Sequence, residues 1–112
     1  MSELENILKE EAKKIPLPLP DGIVHKIVRY DNLLQEWNQR INLTGLNDAK
    51  ERIIWLYLES LWAASHLQKM DHILDIGAGC GFPGMAIQWW HGCRLTMLES
   101  RKKKCDFLQE AI

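Results

Sequence analysis

The run Asp75-Ile76-Gly77-Ala78-Gly79-Cys80-Gly81-Phe82-Pro83-Gly84 constrains what this chain can fold into more than any other segment. Glycines at that density let the backbone turn sharply and approach a ligand with no Cβ in the way. The run emerges from His72-Ile73-Leu74-Asp75-Ile76, a short apolar stretch that reads as a buried parallel strand. Pro83 suits the first turn of a helix predicted to run through Trp90, with Gly92 ending it. A second strand follows over Arg94-Leu95-Thr96-Met97-Leu98-Glu99. From Arg101 the pattern is helical again, with Cys105, Phe107, Leu108 and Ile112 for its buried side. Strand, glycine loop, helix, strand, helix is the opening of a doubly wound α/β sheet. In that setting the helix start offers unpaired N–H groups to an anion. Glu99, at the end of the second strand, can accept both hydroxyls of a ribose.

What precedes the first strand is of another kind. Ser2 and Glu5 fit a capping box, and Leu4, Ile7, Leu8 and Ala12 recur at helical spacing. Pro16, Pro18 and Pro20 stop that helix, because proline fixes φ and removes a donor. Asp21 is expected to cap a second helix with the stripe Val24, Ile27, Val28, Leu34, Trp37 and Ile41. Asn47 or Asp48 caps a third, through the apolar stretch Ile53 to Ala64. Residues 1–70 therefore read as a helical unit, and residues 71–112 as the start of an α/β domain. Two strands do not make a stable sheet alone. The expectation is a chain cut within a domain, its exposed strand edges driving a homo-oligomer or a strand-swapped dimer.

Composition narrows the setting. An apolar fraction of 46% excludes a disordered chain. No apolar run approaches the ~20 residues a bilayer requires, so no membrane partner is expected. The opening residues MSELENILKEEAKK carry charges throughout, unlike a secretory signal. Cys80, Cys93 and Cys105 form no C-x-x-C pair, and His25, His66, His72 and His91 lack ligand spacing, so no metal is expected. That cysteine usage suits a reducing, cytoplasmic location. A net charge of −1 does not advertise a nucleic-acid binder, so any phosphate contacts must be local.

Two ligands compete for the loop. Gly79, Gly81 and Gly84 satisfy G-x-G-x-x-G, which points to a dinucleotide and an NAD-dependent oxidoreductase. Asp75, Gly77, Gly79 and Gly81 instead form acid-x-Gly-x-Gly-x-Gly, which resembles motif I of S-adenosylmethionine methyltransferases. Pro83 removes an N–H from the helix start, which disfavours a pyrophosphate. The wider pattern is more specific. Trp37-Asn38-Gln39-Arg40-Ile41-Asn42-Leu43-Thr44 resembles the W-N-x-x-x-N-L-T segment of the glucose-inhibited division protein B family. Gly81-Phe82-Pro83-Gly84 is similar to that family's extension of motif I. Leu98-Glu99-Ser100, with Lys103-Lys104 and Phe107-Leu108, is similar to its L-D-S…K-R…F-L stretch. The three stretches stand in family order across essentially the whole chain.

The resemblance implies a Rossmann-like methyltransferase core and S-adenosylmethionine as cofactor. It also implies methylation of guanine N7 in 16S ribosomal RNA or the small ribosomal subunit. It further implies that Gly77, Gly79 and Phe82 line the methionine end of the cofactor, with Ala78 and Gly81 beside them. Glu99 would then hold the ribose. Asp75 would order the loop or meet the cofactor's ammonium through water, or simply cap neighbouring N–H groups. This chain departs from the family at Trp55 and Leu56, which stand where members carry Arg-His ahead of an acid and a serine, here Glu59 and Ser60. Glu99 replaces the usual Asp, so a divergent member is expected.

Guanine N7 carries an in-plane lone pair, so no catalytic base is required, and none is assigned. Two further readings remain: a non-catalytic interaction or oligomerisation module, and the oxidoreductase. Arg101-Lys102-Lys103-Lys104 reads as a solvated first turn before it reads as a phosphate site. Trp37, Trp55 and Trp62 read as packing within the helical unit, and at least one of Trp89 and Trp90 as core.

Overall fold

The computed structural model describes residues 2–112. Helix α1 (Glu3–Ala12) starts at Ser2, whose hydroxyl accepts the Glu5 N–H at 3.2 Å, with Glu3 and Glu5 suiting the positive end of the helix dipole. The proline segment separates it from α2 (Asp21–Asn38). Pro20, not Asp21, is the residue flanking α2, and it offers no side-chain cap. Asp21 lies inside the first turn, where its charge complements the dipole. Helix α2 stops at Asn38, so Ile41 falls beyond it, packed against the core from the following turn.

A continuous helical run follows, in three parts: α3 (Ala49–Arg52), a π-helical stretch (Ile53–Leu58) and α4 (Glu59–Ser65). Asp48 is its cap, accepting the Glu51 N–H at 3.3 Å. Along it Ile53, Tyr57, Leu58, Leu61 and Ala64 are buried. Trp55 and Trp62, expected as packing, are 62% and 44% exposed and border a groove against α1. Only Trp37 of the three packs inward, edge-on to Phe107 at 5.9 Å.

Strands β1 (His72–Ile76) and β2 (Arg94–Leu98) pair in parallel, in a register from His72 with Arg94 to Ile76 with Leu98. Helix α5 (Gly84–His91) connects them, ended by Gly92 in the left-handed conformation, and α6 (Lys102–Ala111) follows β2. Leu95 and Met97 face the helices, whereas Leu74, Ile76 and Leu98 are half or more exposed on the other face. The sheet is covered on one side only, so the expectation of a strand buried on both faces does not hold for β1. Ile112 is likewise exposed, and Ala111 takes the inward place foreseen for it.

One hydrophobic core joins the helical run to the βα elements. Leu8, Ile27, Tyr30, Leu34, Tyr57 and Leu61 meet Met85, Ala86, Phe107 and Leu108 in a single cluster. Within it lies a buried polar knot. Arg52 donates Nε–H to Asp31 Oδ1 at 2.7 Å and Nη2–H to Asp31 Oδ2 at 3.1 Å. Gln35 at 2.8 Å and the Tyr57 hydroxyl donate to the same carboxylate. Arg52 also donates to the carbonyls of Asn47 at 2.9 Å and Leu46 at 3.3 Å. Each charge is thus met by a partner, the condition under which buried ions persist. Among the described residues no helix is long and apolar enough to cross a membrane.

Candidate functional site

The loop between β1 and α5 is built from the backbone outward. Leu98 at the end of β2 accepts the N–H groups of Gly77 at 2.8 Å and Ala78 at 3.1 Å, so the strand pairing continues into the loop. Gly77, Gly79 and Gly81 adopt φ of +71°, +57° and +99°. Side chains rarely tolerate that region, and alternating it with ordinary residues produces the sharp reversal. The Gly81 N–H closes a turn onto the Ala78 carbonyl at 2.8 Å, and the Gly81 carbonyl accepts the Met85 N–H of α5 at 2.8 Å.

The four loop glycines divide into two kinds. A Cβ on Gly77 would meet nothing within 4 Å, and one on Gly79 only the Gly77 carbonyl at 3.9 Å. These two border open space at the strand end. A Cβ on Gly81 would lie 2.8 Å from Met85 Sδ, and one on Gly84 2.6 Å from Asp75 Oδ2. Those two are required by packing inside the molecule.

Glu99 meets this shelf from β2. Its Oε1 accepts the Gly79 N–H and its Oε2 the Arg101 N–H, both at 2.9 Å. These bonds, that from Arg101 foremost and that from Gly79 next, hold the carboxyl below its ordinary value, so Glu99 is anionic at neutral pH. Each oxygen retains lone-pair capacity beyond the bond it already accepts. Asp75 is set differently. It caps no N–H, and its buried Oδ2 has no hydrogen-bond partner among the described residues. That oxygen faces α5, 2.6 Å from where a Cβ on Gly84 would stand.

Phe82 turns away from the shelf into an aromatic cluster. Its ring lies 4.9 Å from Tyr30, 5.4 Å from Tyr57 and 5.4 Å from Trp89. The Tyr30 hydroxyl donates to the Cys80 carbonyl. Burial pushes the phenols of Tyr30 and Tyr57 well above their ordinary range, so both remain protonated donors.

Asp75, Gly77, Ala78, Gly79, Gly81 and Glu99 thus gather at the carboxyl ends of two adjacent strands, with Phe82 anchoring the loop from behind. Sequence reasoning missed Tyr30, Asp31, Arg52 and Tyr57. One signal was there: Asp31 falls on the same helical stripe as Val24, Ile27 and Leu34, where a charge has to find a buried partner. The W-N-x-x-x-N-L-T segment also acquires a physical role. Asn38 Oδ1 accepts the N–H groups of Leu43 at 2.9 Å and Thr44 at 3.1 Å, and its amide donates to the Thr44 carbonyl at 3.1 Å. Asn38 therefore closes the turn that leads to Arg52. The basic run behaves as a solvated turn, with Arg101, Lys102 and Lys103 exposed.

Comparison with known proteins adds a family signal. A family model described as rRNA small subunit methyltransferase G matches residues 23–112. Among similar relatives, the "Ribosomal RNA small subunit methyltransferase G" of Alkaliphilus oremlandii is 35% identical over 111 residues, covering 96% of this chain and 46% of that protein. The protein of the same description from Dictyoglomus thermophilum is 38% identical over 111 residues, with coverage of 96% and 46%. That of Desulforamulus reducens is 35% identical over 115 residues, with coverage of 100% and 48%. The chain spans about half the length of the curated relatives it matches.

Proposed function

Since the chain belongs to the rRNA small subunit methyltransferase G family, we propose that its glycine loop holds S-adenosylmethionine in a Rossmann-like core. The whole protein then methylates guanine N7 in 16S ribosomal RNA of the small subunit. The observation that carries this reading is the pairing of an open glycine shelf with an anionic carboxylate on the neighbouring strand. Gly77 and Gly79 leave room beside the strand end, and Glu99 stands 2.9 Å from the Gly79 nitrogen.

S-adenosylmethionine supplies a methyl group on a positively charged sulfur, which passes in line to a nucleophile. The residues here would bind and orient it. Gly77, Ala78 and Gly79 offer a wall without side chains to its methionine end, Gly81 sets the turn, and Phe82 seats the loop from behind. Glu99 accepts the ribose hydroxyls with the lone pairs its two backbone bonds leave free. Asp75 orders the loop or meets the ammonium through a water. Guanine N7 presents its own lone pair, so no side chain has to remove a proton. The protein's task is alignment and exclusion of water.

Calorimetry on the whole protein tests the reading. S-adenosylhomocysteine should bind in preference to NAD, and Gly79→Val should abolish that binding, because a β-branched side chain cannot adopt φ of +57° without strain and would project toward the ligand. NAD bound more tightly than S-adenosylhomocysteine would give the site to an oxidoreductase instead. Unchanged affinity in Gly79→Val would remove the loop from the site.

A further inference from the structure

The Cys80–Gly81 peptide ends on a left-handed glycine, Gly81, and a second, Gly79, stands one residue before it. Rotating this unit changes ψ of Cys80 and φ of Gly81, and because glycine occupies both signs of φ the intrinsic cost of turning it is low. Here it is pinned at both ends. Its N–H is held by the Ala78 carbonyl at 2.8 Å, and its carbonyl by the Tyr30 hydroxyl. The first pin is local to the loop. The second comes from α2, 50 residues away in sequence.

Tyr30 is well suited to hold a fixed position. It is 1% exposed, and its ring is boxed edge-on by Tyr57 at 5.8 Å, Phe82 at 4.9 Å, Trp89 at 6.3 Å and Phe107 at 5.9 Å. A ring so confined cannot swing its hydroxyl away. A flip of the peptide would strand the Tyr30 donor and the Gly81 N–H together, and unpaired buried groups are costly.

We propose that Tyr30 is a positioning residue for the cofactor loop: by donating to the Cys80 carbonyl it fixes the Cys80–Gly81 peptide, and with it the shape of the shelf at Gly77 and Gly79. This rests on the reading of that shelf as the S-adenosylmethionine site. Tyr30 touches neither cofactor nor reacting atoms. It acts through the backbone, and it makes the helical unit part of the cofactor site.

The test is Tyr30→Phe in the whole protein, which keeps the ring in its box and removes only the donor. S-adenosylhomocysteine should bind about tenfold more weakly. The KM for S-adenosylmethionine should rise with little change in kcat, because chemistry on the bound cofactor is untouched. The Gly81 amide should exchange with solvent faster than in the parent, while far-ultraviolet circular dichroism stays the same. Parent-like affinity and parent-like Gly81 exchange in a folded variant would overturn the inference. If the parent itself fails to bind S-adenosylhomocysteine, the cofactor reading falls, and Gly81 exchange alone decides whether Tyr30 holds the peptide. Should the variant not fold, exchange in the parent decides. Gly81 protection equal to that of the β1–β2 ladder supports the pin, and exchange as fast as in exposed turns overturns it.

Discussion

The helices before residue 66 and the βα elements after residue 71 solve the same problem with different chemistry. The helical run keeps a charged knot in its interior, with Asp31, Arg52, Tyr57 and Gln35 bonded together and Asn38 closing the turn beside them. The βα part has no ion pair between its elements; it is held by backbone pairing, by left-handed glycines and by one covered sheet face. A buried ion pair with its side-chain hydrogen bonds specifies the first part, whereas the second is specified by glycine positions, with Glu99 bonding the loop backbone. A rigid, polar-locked support behind a loop made mostly of backbone leaves the loop free of side chains where a ligand has to approach.

The largest effect should come from cutting the knot. Arg52→Leu leaves the Asp31 carboxylate buried with its main partner gone, and should cost about 3–5 kcal/mol in chemical denaturation. Replacing Asp31 and Arg52 together by apolar residues should cost less than either change alone. Additive losses in that double-mutant cycle would show that the pair is not the unit described.

Next come the two kinds of glycine. Gly84→Ala drives a methyl against the buried Asp75 carboxylate and should cost about 1–3 kcal/mol, as overpacking does. Gly77→Ala meets no neighbour, so only its left-handed backbone opposes it, at about 1–2 kcal/mol. The sharper contrast lies in binding: Gly77→Ala should weaken S-adenosylhomocysteine more than it lowers the melting temperature, and Gly84→Ala the reverse. Equal behaviour of the two would erase the division of the loop.

The smallest effect is the pH response of Glu99. Its carboxyl is held below the ordinary range in the folded protein, so its contribution is present above the unfolded value and is lost as pH falls through the folded one. Protection of the Gly79 amide should therefore drop on acidification below the ordinary carboxylate range. Glu99→Gln should lose that pH dependence, and a parent-like acid response in the variant would assign it to another group.

Much of this was legible in the sequence for definite reasons. His72–Ile76 and Arg94–Leu98 stood out because the apolar period changes there and glycines bound the runs. A cap at Asn47 or Asp48 was readable because the apolar stretch follows it, and Asp48 is the one that takes the role. The place of Glu99 at the end of the second strand was readable, and its bond to Gly79 is supplied by the loop's reversal through left-handed glycines. The pairing in the knot was not legible, because its two charges sit 21 residues apart, and the place of Asp31 on the apolar stripe of α2 calls for a buried partner without naming it. Nor was the open sheet face, since Leu74, Ile76 and Leu98 spell the same apolar pattern whether or not something covers them. The Tyr30 contact was hidden by distance along the chain. A tyrosine on a helix stripe reads as core until the carbonyl at the tip of its hydroxyl is seen.

The contact between Asp75 and residue 84 sets an order on how this chain can diverge. While the carboxylate stays, a methyl at position 84 has to displace Asp75 Oδ2, which would stand 2.6 Å from it, and press on Leu95 Cδ1 at 3.1 Å. Asp75→Ala removes the nearest atom but leaves the Cβ of residue 75 at 3.2 Å and Leu95 Cδ1 at 3.1 Å, so the cost of Gly84→Ala should shrink in that background without vanishing. The two sites are therefore coupled, and a change at 84 costs less once the acid has gone.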